Sequence, residues 1–225
     1  MKRSRKKRKS RKGFFITFEG IEGSGKSTHI KYLSRFLKRK GLKVLLTKEP
    51  GGTPVGEKIR KILLDPLNKG LSPKAEVFLF LASRAQHVSE KIQPFLNKGY
   101  IIISDRFHDA SVAYQGDARD IGIDMVQRLN QMAINDTVPD VTILMDVDLK
   151  KGLTLAKKNN IYKNGDRIER ESMLFHKKVQ REYYKIHKRE PGRVYLVKID
   201  RDLNITQSRI RDIIIHKLRR KGFII

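Results

Sequence analysis

The chain contains no cysteine, so disulfides and thiolate-held metals are excluded. It has no uninterrupted apolar run of bilayer-spanning length. The segment "FFITF" after the basic start is too short for the apolar part of a secretory signal, and Glu19 ends it at once. These absences predict a soluble, cytoplasmic protein. Acidic residues are also scarce: 24 stand against 50 Lys and Arg, for a net charge of +26. Residues 1–12 hold nine of the basic residues and no acid, yet discounting them only lowers the net charge to +17. The surplus is therefore spread over the whole chain. Such a field draws phosphorylated small molecules, nucleic acid or anionic lipid surfaces, and it does so with little specificity. The tail, residues 1–12, has no apolar residue beyond Met1 and is predicted to be disordered. It reads as a solvated extension, a targeting signal or an arm that binds polyanions non-specifically.

With 225 residues and 39% hydrophobic content, the chain suffices for one sizeable core. From residue 13 onward, short apolar runs alternate with helical patterns. Strands are predicted at 14–18, 42–47, 100–104, 141–147 and 194–199. Helices are predicted at 26–40, 54–64, 72–97 (bent near Pro94), 123–135, 149–158, 167–188 and 205–219, with a loop at 159–165. Strands that are apolar on both faces, separated by helices, predict a five-stranded parallel sheet covered on both sides. Ligands on such sheets bind beyond the carboxyl ends of the strands.

The stretch from Gly20 to Ser27, "GIEGSGKS", matches G-x-x-x-x-G-K-[ST] and lies between a strand and a helix. Glycines at these spacings let backbone N–H groups turn inward around phosphate oxygens, and the helix N-terminus faces the same anion. Lys26 is then placed to reach the transferring phosphates and Ser27 to ligate Mg²⁺. The ATP-contacting set is Gly20, Ile21, Glu22, Gly23, Ser24, Gly25, Lys26, Ser27 and Thr28. This much predicts nucleotide binding and leaves the reaction open.

Three other stretches narrow it. "TKEPGGTPVGEKIR" follows the second strand, "AEVFLFLASRAQH" places Phe80 and Arg84 four apart on one helical face, and "DRFHDASVAYQG" starts at the end of the third strand. Taken alone, Phe80 fits a core residue and Arg84 a surface charge. Together with "FEGIEGSGKST" and "GDRIERES", these stretches resemble thymidylate kinase of the bacterial type, over about residues 13–225. The resemblance implies the three-layer α/β phosphate-loop fold, ATP as co-substrate, dTMP as acceptor, Mg²⁺ as cofactor and a homodimer. It implies that Glu22 meets the acceptor's 3′-hydroxyl, Phe80 stacks on thymine and Arg84 donates to its carbonyl. Arg106 would clamp the acceptor phosphate with help from Arg60. Asp105 would lie near Mg²⁺ together with Ser27, Tyr114 would crowd the sugar's 2′ position, and Ser111 and Gln115 would reach the base edge.

The pattern departs from the family at its lid, about residues 152–166. One branch carries arginine inside the phosphate loop, where this chain has Gly23 and Ser24. The bacterial branch has lid arginines, but "GLTLAKKNNIYKNGD" contains none. Lys157 and Lys158 are the expected catalytic cations beside Lys26 and Arg106, with Arg167 anchoring the lid's return. Two alternatives remain at this stage: a kinase for another nucleoside monophosphate, or a nucleic-acid-associated ATPase suggested by the charge. The ATPase predicts hydrolysis stimulated by nucleic acid, whereas a kinase releases ADP only when given a monophosphate acceptor.

Overall fold

The computed structural model describes residues 13–159 and 165–225, without the side chains of 157–159. The basic tail and the middle of the expected lid, with the side chains of Lys157 and Lys158, lie outside the described residues. Five strands, β1 (Phe14–Glu19), β2 (Val44–Lys48), β3 (Ile101–Asp105), β4 (Val141–Asp146) and β5 (Val194–Lys198), form a parallel sheet in the order β2-β3-β1-β4-β5. The predicted fold class is the one found.

Strand β1 is central and buried on both faces. Phe14, Ile16 and Phe18 point to one side, into a cluster with Ile30, Leu33 and Leu37 of α1 (Lys26–Arg39) and Ile210, Ile214 and Leu218 of α9 (Leu203–Arg220). Phe15 points to the other side, against Ile92, Leu96, Ile102 and Phe107. Each such side chain contributes on the order of 1.5–3 kcal/mol by leaving water. Along that second face β1 turns from apolar to polar as it approaches its carboxyl end. Thr17 bonds the Thr142 hydroxyl at 2.8 Å, and Glu19 is fully buried. The register sets Phe18 and Lys48 level with Asp105, so three strands end in one row.

Helices α2 (Pro54–Leu64) and α3 (Pro73–His87) start as their sequences suggest. Thr53 and Ser72 cap them by accepting from the N–H groups of Gly56 and Ala75, and proline occupies the first turn of each. The expected single helix over 72–97 is interrupted by a π-helical turn, Val88–Ile92, before α4 (Gln93–Asn97). Pro94 has no N–H and cannot sit over an ordinary preceding turn, which accounts for the widening beside it.

Residues 106–122 carried no predicted element. They form α5 (His108–Ser111) and a second π-helical turn, Val112–Ala118, before α6 (Ile123–Ile134). The helix expected from 167 starts instead at Met173, as α8 (Met173–Arg189), where Ser172 caps it by accepting from the Phe175 N–H. Before it, the Asp166 carboxylate accepts the N–H groups of Ile168 and Glu169, which turns the chain in place of a first helical turn.

Helix α7 (Leu149–Asn159) runs against the phosphate loop. A Cβ at Gly152 would lie 2.8 Å from the Glu22 carbonyl oxygen, and one at Gly23 would lie 1.8 Å from the Gly152 oxygen. The two backbones meet with no space for side chains. Among the described residues, no helix is long and apolar enough to cross a membrane.

Candidate active site

The phosphate loop leaves β1 at Gly20 and enters α1 at Lys26. Gly25 sits at φ 77°, a left-handed conformation that glycine adopts at no steric cost, and no side chain caps the helix behind it. The first N–H groups of α1 are thus open to an anion. Lys26 is folded into the loop. Its ammonium donates to the carbonyl oxygens of Gly20 (3.1 Å) and Ile21 (2.9 Å) and to the Ser24 hydroxyl (3.3 Å). Burial, and then the nearby Arg106 guanidinium, lowers its pKa to about 8.

Arg106 follows β3 in a left-handed conformation, φ 70°, which is costly for a residue with a Cβ. That turn brings its guanidinium back over the loop. Nη1 donates to the Gly20 carbonyl (2.9 Å) and the Tyr183 hydroxyl (3.1 Å), and Nη2 donates to Glu22 Oε1 (2.9 Å). The guanidinium also lies 5.0 Å from the Tyr114 ring centroid. Nε and one Nη2 hydrogen have no partner among the described residues. Glu22 Oε1 also accepts from the Tyr114 hydroxyl at 2.6 Å. Burial alone would raise the Glu22 pKa, but Arg106 and then His176 hold it well below the carboxylate range. Its Oε2, 3.4 Å from His176 Nδ1, has no hydrogen-bond partner among the described residues.

A cavity of about 630 Å³ runs from Gly23–Thr28 of the loop, past Asp105, Arg106 and Arg60, to Phe80, Arg84, Ser111, Tyr114 and Gln115. That volume suits a bound small molecule. Gly20 and Ile21 do not line it: the Gly20 oxygen faces the two cations, and Ile21 packs into the core. Arg60 donates to the Pro50 carbonyl at 2.9 Å. Arg84 is not a surface charge; it is among the most completely buried side chains. It donates to Glu49 (2.8 Å), Ser111 (2.9 Å), Asn130 (2.6 Å) and the Phe107 carbonyl (3.0 Å). Four of its five N–H groups are engaged, leaving one Nη2 hydrogen. Phe80, one turn earlier on α3, is half-buried on the same wall.

At the other end of the cavity, the Ser27 hydroxyl donates to Asp105 Oδ2 at 2.9 Å. These hard oxygen donors fit Mg²⁺. Among the described residues no cluster of three acidic or imidazole groups could hold a metal, so an ion here would need further ligands from bound phosphates or water.

Several residues here escaped the sequence reading. Glu19 accepts from the Phe107 N–H (2.7 Å) and the Tyr183 hydroxyl (2.7 Å), which fixes the turn that carries Arg106. Burial, reinforced by Asp109, pushes the Glu19 carboxyl above its usual range. Glu49 also holds His87 at 2.9 Å. Glu76 binds Gln115, Arg119 and Arg167. The available signal was an acid inside an otherwise apolar run, at Glu19 and again at Glu76.

A phosphate loop, an anion-ready helix end and a second set of cations facing one chamber define a P-loop phosphotransferase that takes two phosphorylated ligands. The sequence model of the family described as Thymidylate kinase matches residues 18–210. Thymidylate kinase of Halothermothrix orenii is 45% identical over 208 residues, covering 92% of this chain and 97% of the relative. That of Geotalea daltonii is 48% identical over 202 residues, covering 88% and 94%. The crystal structure of thymidylate kinase from Ehrlichia chaffeensis superposes with a TM-score of 0.74 at 31% identity, covering 90% of this chain and 98% of that one. The chain belongs to the thymidylate kinase family.

The Lys26 pKa of about 8 sets a pH dependence. Below that pH the ammonium is charged and attracts phosphate; above it the charge is lost from the free protein. The kcat/KM for ATP is expected to fall about tenfold per pH unit above 8, because this ratio reports groups of the free enzyme. A profile flat to pH 9.5 would show that Lys26 keeps its proton or does not assist ATP capture.

Proposed function

We propose that this chain transfers the γ-phosphoryl group of ATP to the 5′-phosphate of dTMP, giving dTDP for dTTP synthesis. The observation that carries this reading is the chamber that joins the phosphate loop to an end walled by Phe80, Arg84 and Gln115. The loop N–H groups and the α1 N-terminus receive the ATP phosphates. Lys26 exchanges a loop carbonyl for a phosphate oxygen, a stronger, charge-assisted bond. Ser27 and Asp105 would hold Mg²⁺, which would supply neutralising charge at the phosphates. The unpartnered Nε and Nη2 hydrogens of Arg106 clamp the acceptor phosphate, with Arg60 beside it. That phosphate oxygen is already anionic, so no strong base is required. Catalysis is then positioning plus cationic stabilisation. Glu22, kept as a carboxylate and lining the chamber, accepts the acceptor's 3′-hydroxyl. Phe80 stacks on the base, and Tyr114 crowds the sugar's 2′ position.

The exposed apolar side chains Ile62 on α2, Phe78 on α3 and Met132 on α6 support a face covered by a second copy of this chain; they are 46%, 59% and 81% exposed. Sedimentation at micromolar concentration is expected to give twice the 26.1 kDa chain mass. A monomer mass would remove the dimer.

ADP release measured across nucleoside monophosphates is expected to give the largest kcat/KM with dTMP. The margin over dUMP is modest, because one methyl in an apolar pocket is worth about 1–3 kcal/mol. A better acceptor than dTMP, or ATP hydrolysis needing none, would overturn the assignment.

Lys157 and Lys158 are proposed as lid cations for the transition state. The double change Lys157→Ala/Lys158→Ala is expected to lower kcat about tenfold or more, with smaller changes in either KM. If kcat stays within a factor of two, both lysines are bystanders.

A further inference from the structure

Glu76 lies in the first turn of α3 and is fully buried. Its Oε1 accepts from Gln115 Nε2 at 2.7 Å and Arg119 Nε at 3.3 Å. Its Oε2 accepts from Arg119 Nη2 at 3.1 Å and Arg167 Nη1 at 2.7 Å. Facing two guanidinium groups, this carboxylate has only acceptors to offer. The amide of Gln115 must therefore turn its NH₂ toward Glu76, since the flipped rotamer would set two oxygens against each other at that distance. The Gln115 carbonyl oxygen then has no partner among the described residues, on a side chain that lines the cavity. Arg84, which lines the same cavity, has one N–H left. Glu49, Ser111, Asn130 and the Phe107 carbonyl fix the rest of its guanidinium.

We propose that Glu76 is a positioning residue that sets the hydrogen-bond polarity of the base end, locking Gln115 as an acceptor beside the donor Arg84. This rests on the reading of that end as the base subsite. One donor beside one acceptor complements a carbonyl next to a ring N–H, as in a 4-oxo-pyrimidine. A 4-amino-pyrimidine presents the reverse pattern and leaves both protein groups unpaired. Sites that hydrogen-bond their substrate reject such mismatches strongly.

The test is steady-state kinetics of Glu76→Gln with dTMP and dCMP. Glutamine at 76 can donate, which frees the Gln115 amide to turn over. The expected result is a KM for dTMP raised tenfold or more, with kcat and the KM for ATP within threefold. The preference for dTMP over dCMP, as a ratio of kcat/KM, is expected to fall at least tenfold. Arg119→Gln removes an ion pair from Glu76 but keeps its contact with Gln115, and is expected to preserve that preference. A preference unchanged in Glu76→Gln, or lost equally in Arg119→Gln, overturns the proposal and leaves Glu76 a structural anchor. The wild type supplies a test that no unfolded variant can block. The side-chain NH₂ of Gln115, observed by NMR in the free protein, is expected to be protected from hydrogen exchange. Exchange at the rate of an exposed amide overturns the proposal. A wild type inactive on dTMP would instead defeat the functional reading on which it rests.

Discussion

A guanidinium with little water around it needs partners for its charge, and Arg106 finds them by gathering three other chain segments. It holds the Gly20 carbonyl and Glu22 of the phosphate loop, Tyr183 of α8 and the Tyr114 ring, from a backbone turn that is itself unfavourable. Removing a charge from water costs several kcal/mol, and these contacts offset much of it. The same contacts fix the phosphate loop's floor and keep Glu22 ionised. Two of Arg106's N–H groups have no partner among the described residues, in a side chain that lines the cavity. Site geometry and ligand demand therefore come from one constraint.

The pattern recurs with other partners. Glu49 anchors Arg84, and Glu76 anchors Gln115, Arg119 and Arg167. Glu19 anchors Tyr183 and the N–H of Phe107. Each is a buried acid fixing a group that lines or supports the cavity. In a chain so rich in cations, these few carboxylates are concentrated where orientation matters. The rest of the basic surplus is largely solvated surface and says little about the chemistry.

The sheet was legible because five near-continuous apolar runs alternate with helical patterns, although β2 and β5 prove to be its partly exposed edges, and "GIEGSGKS" was legible because its glycines do what other residues cannot. Phe80 and Arg84 stood out only through the family resemblance, since their four-residue spacing taken alone fits a core residue and a surface charge. The winding of 108–118 did not show. Its polar residues Asp109, Ser111 and Gln115 face inward to the site network, so no outward polar stripe marks a helix. Nor did Glu49 and Asn130, since each matters through Arg84, 35 and 46 residues away, and no local period records such a pairing. Glu19 ended the strand reading one residue early, because a buried acid looks like a terminator until Tyr183 is seen to donate to it.

The missing arginine of the phosphate loop has a steric explanation. At Gly23 even a methyl group would strike the Gly152 carbonyl, and at Gly152 it would approach the Glu22 oxygen. These are backbone atoms, which cannot swing aside as a flexible side chain does. α7 thus seats directly on the loop, and the seat exists only because both partners are glycine. An arginine at 23 would require that helix to move away. Lys157 and Lys158 fall in the same helix, within about two turns of the Gly152 seat. The Gly23–Gly152 contact thus leaves position 23 no room for an arginine side chain, and the lid is the proposed source of that cation.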